Sequence, residues 1–289
     1  MTRVCIVAAF AVAALAGCGG SAASLDDAAD ATSAETARFA LDYRVTGGPK
    51  EGEYTTQAAG EFDFPGEKAT MTIHSDVPFF GEDVSWEEFR LIGTTGYMRW
   101  LVKGTTYWVK SDQSDTGDDP TALLVPLPGS PTKPTDVLAR VLLASDENDE
   151  LGEEEIRGTK TTHYRARVDV RKLMKQLGRE DRPEGDAVEL WGSRFIPVEL
   201  WIDDDSRLRR ITTEHDRGGA RETMAVDLYE YGIDVDVQPP PADETISEDE
   251  LDKILGNRIE LKTGEGEVVC EASPNPKKAD RECRELKTP

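Results

Sequence analysis

The chain has 289 residues, with 34 Lys and Arg against 57 Asp and Glu, so its formal net charge is −23. This balance argues against a nucleic-acid binder, which needs basic residues to neutralise phosphates. Hydrophobic residues make up 38% of the chain, and its Val, Ile, Leu and aromatic runs favour a folded body over wholesale disorder. Four cysteines are too few for a disulfide-dense scaffold.

The N-terminus has the layout of a secretory signal peptide. Arg3 gives a positive start, residues 4–15 are almost wholly apolar, and small residues follow at 16–17. With Leu15 and Cys18, these small residues form Leu-Ala-Gly-Cys, which resembles a bacterial lipobox. In that pattern the peptidase cuts before the cysteine, and Cys18 receives a diacylglyceryl group. We therefore predict a signal peptide over 1–17 and a lipid anchor at Cys18 on the extracytoplasmic face of the cell membrane.

The composition changes twice after the anchor. Residues 18–35 are mostly Gly, Ser, Ala, Asp and Thr, which predicts a flexible tether. Residues 36–240 then alternate apolar and polar side chains in many short segments separated by polar turns, which indicates an α+β domain built on a large antiparallel sheet. The predicted strands are 39–45, 54–64, 69–74, 86–92, 97–102, 105–109, 161–168, 194–203, 207–214 and 222–231.

A few segments predict helices on one face of this sheet. Thr135 is the N-cap of an apolar stripe over 136–144, and Asp169 caps a helix over 170–177. Ser247 and Glu250 form a capping box. The acidic stretch 147–155 predicts a mobile loop, and 241–289 predicts a C-terminal helix followed by a polar tail.

The cysteines that remain after the leader and the lipobox are Cys270 and Cys283. An exported protein meets an oxidising compartment, so we expect a disulfide between them. Two free thiols in a hydrophilic tail are the alternative.

The sequence contains no recognisable catalytic constellation. The three histidines are far apart in the sequence, and no zinc-ligand spacing, nucleophile elbow or Gly-rich phosphate loop is present. We expect no enzymatic activity, no cofactor and no metal. Large apolar residues instead suggest a cavity between sheet and helices, with a plain dry core as the alternative. The candidate lining residues are Trp86, Trp100, Trp108, Leu124, Val137, Leu138, Val141, Leu142 and Trp201.

Four stretches resemble the actinobacterial LppX/LprAFG lipoprotein family, whose fold is similar to that of the LolA/LolB lipoprotein carriers. The stretches are 88–109 (from Glu88-Phe89-Arg90-Leu91 to Tyr107-Trp108-Val109), 119–124, 158–169 and 197–210 (Pro197-Val198-Glu199-Leu200-Trp201-Ile202-Asp203 onwards). The resemblance covers about residues 33–240. It implies a curved antiparallel half-barrel whose concave face is covered by a few helices, with an apolar cavity for lipid or glycolipid acyl chains.

The leading hypothesis is thus a membrane-anchored lipoprotein that binds or carries a lipid or other amphiphile. The alternative is a sensory or scaffolding module that binds another cell-envelope protein, because the LolA-like fold also serves such regulators.

Overall fold

The computed structural model describes residues 25–47, 53–76, 84–112, 141–176, 193–217, 219–255, 259–263, 266–271 and 282–285. Eleven of its strands form most of one sheet, and their bounds are β1 Thr36–Thr46, β2 Tyr54–Asp63, β3 Lys68–Ser75, β4 Val84–Ile92, β5 Thr95–Val102, β6 Thr105–Asp112, β7 Ser145–Ile156, β8 Thr159–Asp169, β9 Phe195–Asp203, β10 Leu208–Arg217 and β11 Ala220–Tyr229. The helices are α1 Leu25–Ser33, α2 Val170–Gln176 and α3 Glu248–Leu255, and residues 141–143 are also helical.

The sheet has twelve strands in the order β12-β6-β5-β4-β3-β2-β1-β11-β10-β9-β8-β7, where β12 is Thr245–Ser247. All neighbours are antiparallel except β12, which pairs parallel with β6. The first and last strands do not pair with each other, so the sheet is open rather than closed. The structure confirms the predicted α+β class with a large antiparallel sheet and few helices.

Period-two alternation gives this sheet one apolar face, which we call the covered face. In β1 the side chains of Phe39 and Leu41 are buried, and their cross-strand partners Leu228 and Val226 are buried on the same face. Gly60 lies opposite Phe39, and a Cβ at Gly60 would come within 1.9 Å of the Thr70 carbonyl oxygen. Only glycine fits this close approach of two strands.

Short helical segments cover this face. The main cluster of buried residues combines strand side chains with Ala28 and Ala29 of α1, with Val141 and Leu142, and with Leu173 of α2. Burial of apolar surface drives this packing, at roughly 25 cal/mol per Å² removed from water.

The predicted caps of α2 and α3 are confirmed. The Asp169 carboxylate accepts the Arg171 N–H at 2.9 Å at the start of α2. Before α3, the Ser247 hydroxyl accepts the Glu250 N–H at 3.3 Å, and the Glu250 carboxylate accepts the Ser247 N–H at 2.8 Å. This reciprocal pair is the capping box read from the sequence.

A second cluster continues the covered face at the other end of the sheet. Leu251 of α3 packs there with Trp100, Val102 and Val109. Because β12 pairs with β6 and α3 packs on this cluster, residues 245–255 belong to the body. The expected domain boundary at residue 240 was therefore too early.

The predicted tether is also too long. Residues 25–33 form α1, in which Ala28 and Ala29 are buried, and the Thr32 hydroxyl accepts the Leu208 N–H at 2.9 Å. Two small residues on one helix face permit close approach to the sheet, which a flexible-linker composition does not reveal. The anchor at Cys18 and residues 18–24 lie outside the described residues.

The acidic stretch 147–155 is a strand, not the predicted loop. It belongs to β7, which pairs with β8 as the last strand of the sheet. Its carboxylates are compatible with a strand because, among the described strands, β7 pairs on one side only, and those of its carboxylate side chains that the structure describes are exposed. Acidic side chains and bulges are typical devices that keep such an edge from pairing with other chains.

A separate three-stranded antiparallel sheet forms in the C-terminal region expected to be a polar tail. Its strands are β13 Ile259–Thr263, β14 Gly266–Glu271 and β15 Glu282–Glu285. Cys270 and Cys283 are Cα partners in the β14–β15 register. Directly opposed residues have Cα spacings that a disulfide can bridge, and the disulfide itself stays a prediction.

Within the described ranges, no helix combines the length and apolar character that a membrane crossing requires.

Because α1 packs on the sheet, we expect Ala28→Asp to lower the free energy of unfolding by at least about 2 kcal/mol, since it buries an unpaired carboxylate. Ala34→Asp, at an exposed position just beyond α1, is the matched control. Urea denaturation followed by tryptophan fluorescence measures both. Equal stabilities of the two variants would show that residues 25–33 act as a tether.

Candidate functional site

The predicted cavity-lining residues occupy different environments. Val141 and Leu142 lie in the main cluster, and Trp100 lies in the second cluster on the same covered face. Trp108 and Trp201 are buried outside both clusters. Leu124, Val137, Leu138 and the side chain of Trp86 lie outside the described residues. The structure thus brings Val141, Leu142 and Trp100 to one face of the sheet.

The second cluster has a half-buried apolar rim. Met98, Tyr107 and Ile246 pack against it, as do Ile254 and Leu255 of α3, and all five are only partly buried. Met98 also packs against the main cluster. Apolar side chains that remain partly open at such a junction can contact the apolar part of a ligand.

Trp108 and Trp201 lie on the opposite sheet face, which we call the outer face. The Arg90 guanidinium lies over the Trp108 ring at 4.5 Å from its centroid. The Trp201 ring stacks on His163 at 4.1 Å, and its indole N–H donates to Glu154 at 3.0 Å. These two tryptophans therefore belong to a polar surface rather than to the covered face.

Glu154 connects several groups of this surface. Its second oxygen lies 3.0 Å from His163 Nδ1. The hydrogen bond from Trp201 lowers the pKa of the Glu154 carboxyl, and His163 and Arg210 lower it further. The carboxylate thus stays ionised at neutral pH and orients both rings.

A second hydrogen-bonded group of the outer face centres on Asp227, which is buried on β11. Arg210 on β10 donates to both of its oxygens, from Nε at 2.5 Å and from Nη2 at 2.9 Å. Arg157 donates from Nε to one of them at 2.8 Å. Burial by itself would raise the pKa of Asp227, but the two arginines outweigh it, and the pKa lies below its usual range.

Arg157 reaches Asp227 from the tip of the β7–β8 hairpin. Arg157 and Gly158 both have positive φ, 50° and 79°, as a two-residue type I′ turn requires. Strands β9 and β10 separate β8 from β11 in the sheet order, so the hairpin tip folds across the outer face. The β7 bulge near Gly152, whose φ is 128°, gives this edge the extra bend.

The folded hairpin borders a groove of about 540 Å³, which we call the outer groove. Ala40, Ala59 and Ala225 form its floor, Arg157 and Arg210 lie at the end nearest β10, and Asp42, Gln57 and His74 also line it. A neighbouring groove of about 420 Å³ shares Asp42 and Ala225.

Sequence reasoning missed Arg157, Arg210 and Asp227, because each was an ordinary polar position within or beside a predicted strand. Their only local sign in the sequence was a charged side chain in or next to a segment in which apolar and polar residues alternate.

Comparison with known proteins gives few relatives. No family model matches the chain. An uncharacterized 31.2 kDa protein of Streptomyces griseus is 26% identical over 116 residues, which are 39% of this chain and 38% of that protein. The matched region is thus well under half the length of that relative.

Solved structures to which this chain is similar include two mycobacterial lipoproteins. LprF from Mycobacterium bovis is 17% identical, covers 75% of this chain and 95% of its own, and has a TM-score of 0.47. LppX from Mycobacterium tuberculosis is 16% identical, with 73% and 94% coverage and a TM-score of 0.38. A LolA superfamily protein from Nitrosomonas europaea is 9% identical, with 77% and 97% coverage and a TM-score of 0.26.

LprF and LppX belong to the family that the sequence motifs resemble. The fold assignment rests on the strand order of the chain itself.

Asp227 provides a test of the outer-face network. Its pKa is depressed in the folded chain, so its contribution to stability is present above the unfolded pKa of about 3.9 and is lost as the pH falls through the folded value. We expect Asp227→Asn to lower the free energy of unfolding by about 2 kcal/mol at pH 7.

The difference between the wild type and Asp227→Asn should shrink as the pH falls below about 4. Asp204→Asn, in the exposed β9–β10 turn, should change stability by less than about 0.5 kcal/mol. Chemical denaturation over this pH range measures both variants. A difference that is constant with pH would contradict the role of the Asp227 charge.

Proposed function

We propose that this chain is a lipid-anchored extracytoplasmic protein that binds an amphiphile between the covered face of its sheet and the helices. The observation that carries the proposal is the half-buried apolar rim of the second cluster. Elsewhere on this face, side chains such as Phe39, Phe89 and Leu200 are fully enclosed. An acyl chain that lies against Met98 and α3 would remove the remaining apolar surface of this rim from water.

The rim is suited to a flexible apolar chain. Met98 is unbranched and adaptable, and Ile254 and Leu255 lie at the end of a short helix that packs on β6. Small shifts of α3 would adjust the space without disturbing the larger main cluster. The resemblance to the LppX/LprAFG family supports a lipid or glycolipid as the class of ligand.

The lipobox supports the anchoring part of the proposal. The two acyl chains of a diacylglyceryl group on Cys18 would hold the protein stably at the membrane. Six residues separate Cys18 from Leu25, the first residue of α1. Even fully extended they span only about 20 Å. The body would therefore stay close to the membrane surface from which a lipid ligand comes.

A second candidate function is binding of another cell-envelope protein, and β7 is the observation that favours it. This twelve-residue strand lies at a sheet edge with exposed carboxylates, and its Leu151 is 43% exposed. These carboxylates disfavour pairing with most chains but would attract a basic segment of a partner, which could then pair with this edge.

Filling the rim tests the lipid proposal. We expect Met98→Trp to displace about two methylene groups of a bound acyl chain, which costs about 1.6 kcal/mol and weakens binding about tenfold. Leu101→Trp is the matched control, because Leu101 is on the same strand but exposed on the outer face. Binding is measured with a fluorescent fatty-acid analogue and by native mass spectrometry of protein extracted in mild detergent.

Equal binding by both variants would place the ligand away from the rim. A single stoichiometric protein in the extract, with no lipid bound, would favour the second candidate function.

The anchor is tested in the cell. We expect Cys18→Ala to move the protein from the membrane fraction to the soluble extracytoplasmic fraction, because a lipobox without its cysteine cannot be acylated. Cys5→Ala, in the predicted leader, should leave the protein in the membrane fraction. Fractionation and immunoblotting measure both. Retention of Cys18→Ala at the membrane after a high-salt wash would contradict lipid anchoring.

A further inference from the structure

We propose that the Arg157–Arg210 end of the outer groove binds an oxyanion, a phosphate or carboxylate group, of a ligand whose remainder lies on the alanine floor. This site lies on the outer face of the sheet, opposite the covered face on which the proposed amphiphile would bind. It is independent of the lipid proposal.

The hydrogen bonds of the two arginines leave donors for a ligand. Asp227 engages Nε of Arg157, and it engages Nε and Nη2 of Arg210. Within the described ranges, Nη1 of Arg210 and both Nη atoms of Arg157 have no hydrogen-bond partner. Several N–H groups from two adjacent guanidinium groups are thus available, and guanidinium is the side-chain group that best matches oxyanion geometry.

Aromatic rings hold both guanidinium groups in place. Arg157 lies 4.3 Å from the Tyr229 ring centroid, and Arg210 lies 5.9 Å from that of Trp201. Trp201 is in turn fixed by its hydrogen bond to Glu154 and its stacking on His163. Donors that are already oriented lose little conformational entropy when a ligand binds.

The direct ion pairs favour an anion beside the two arginines. Two arginines share the single carboxylate of Asp227, so two guanidinium groups contact only one carboxylate directly, on a chain whose net charge is −23. The ionised Glu154 carboxylate adds a negative charge near Arg210, so an oxyanion is favoured most on the Arg157 side of the pair. Elsewhere in the groove, Asp42 accepts a hydrogen bond from Gln57 at 3.1 Å. A ligand therefore places its oxyanion against the arginines and its uncharged or donor groups toward Asp42.

The groove has room for more than an ion. Its volume of about 540 Å³ compares with about 30 Å³ for one water molecule. The floor of Ala40, Ala59 and Ala225 offers a smooth apolar surface next to the arginines. Such a combination of an apolar floor with a few oriented polar groups is typical of small-molecule sites.

The test compares Arg157→Gln with Arg38→Gln in the full-length protein. Both arginines are on the outer face with 45% of the side chain exposed, and both are paired with carboxylates, but Arg38 is not part of the groove. NMR of the arginine Nε–H groups follows titration with inorganic phosphate at constant ionic strength. Thermal unfolding checks that both variants fold.

We expect saturable shifts at Arg157 and Arg210 in the wild type. Arg157→Gln should weaken phosphate binding about tenfold, and Arg38→Gln should change it by less than about twofold. No saturable shift in the wild type, or equal losses in the two variants, would overturn the proposal.

A second arm distinguishes a lipid headgroup from a soluble ligand. It measures binding of the Cys18→Ala protein to phosphatidylcholine vesicles with and without phosphatidylglycerol. Binding that requires phosphatidylglycerol, is competed by phosphate and is lost in Arg157→Gln supports a headgroup as the source of the oxyanion. Phosphate binding without vesicle binding supports a soluble ligand, and absence of both overturns the site.

Discussion

A sheet of twelve strands has two large faces, and the need to bury one of them determines the rest of this structure. The chain meets this need by alternation: Phe39 and Leu41 point to one side of β1, and Ala40 and Asp42 point to the other. No long helix covers the apolar face in the described residues. Several short elements share the task, and each contributes a few side chains to two adjoining clusters.

Because several short elements rather than one layer cover the apolar face, its burial differs from one end of the sheet to the other, and this affects where a ligand can bind. A single rigid layer would seal the covered face from end to end. Here α1, α2 and residues 141–143 pack on the main cluster, in which most apolar residues are buried, whereas α3 packs on the second cluster, in which the partly buried apolar residues outnumber the buried ones. Met98 contacts both clusters, so the junction between them falls on β5. The part of the core that is least completely covered is thus beside the helix that is attached to the body by the short parallel strand β12.

The sequence predicted the central architecture because that architecture follows local rules. Alternating strands and the caps at Asp169 and Ser247 all depend on residues within a few positions of one another. α1 was mistaken for a tether because Ala28 and Ala29 become informative only when a sheet lies against them. The β7 strand was mistaken for a loop because its carboxylates suit a sheet edge, and edge position is a property of the whole topology.

The outer groove was beyond sequence reasoning for a similar reason. Arg157 is in a turn of one hairpin, and Asp227 is seventy positions away on a strand that is not its neighbour. Their contact depends on how the edge hairpin bends at Gly152. The candidate tryptophans lie on both faces of the sheet. A large aromatic residue in a sequence indicates burial, but it does not indicate which face of its strand the side chain occupies.

The strand register determines which side chains lie on each face, so the contacts on the two faces stabilise the same register. In β11, Val226 is in the main cluster and Asp227 is on the outer face, and the neighbouring strand β10 repeats this arrangement with Ile211 and Arg210. A slip of one residue would turn Asp227 into the apolar cluster and expose Val226. Burying an unpaired carboxylate costs far more than the loss of one apolar contact. The arginine–aspartate network therefore holds the strands in the register that keeps the covered face apolar, and the apolar face in turn keeps both arginines at the lip of the outer groove.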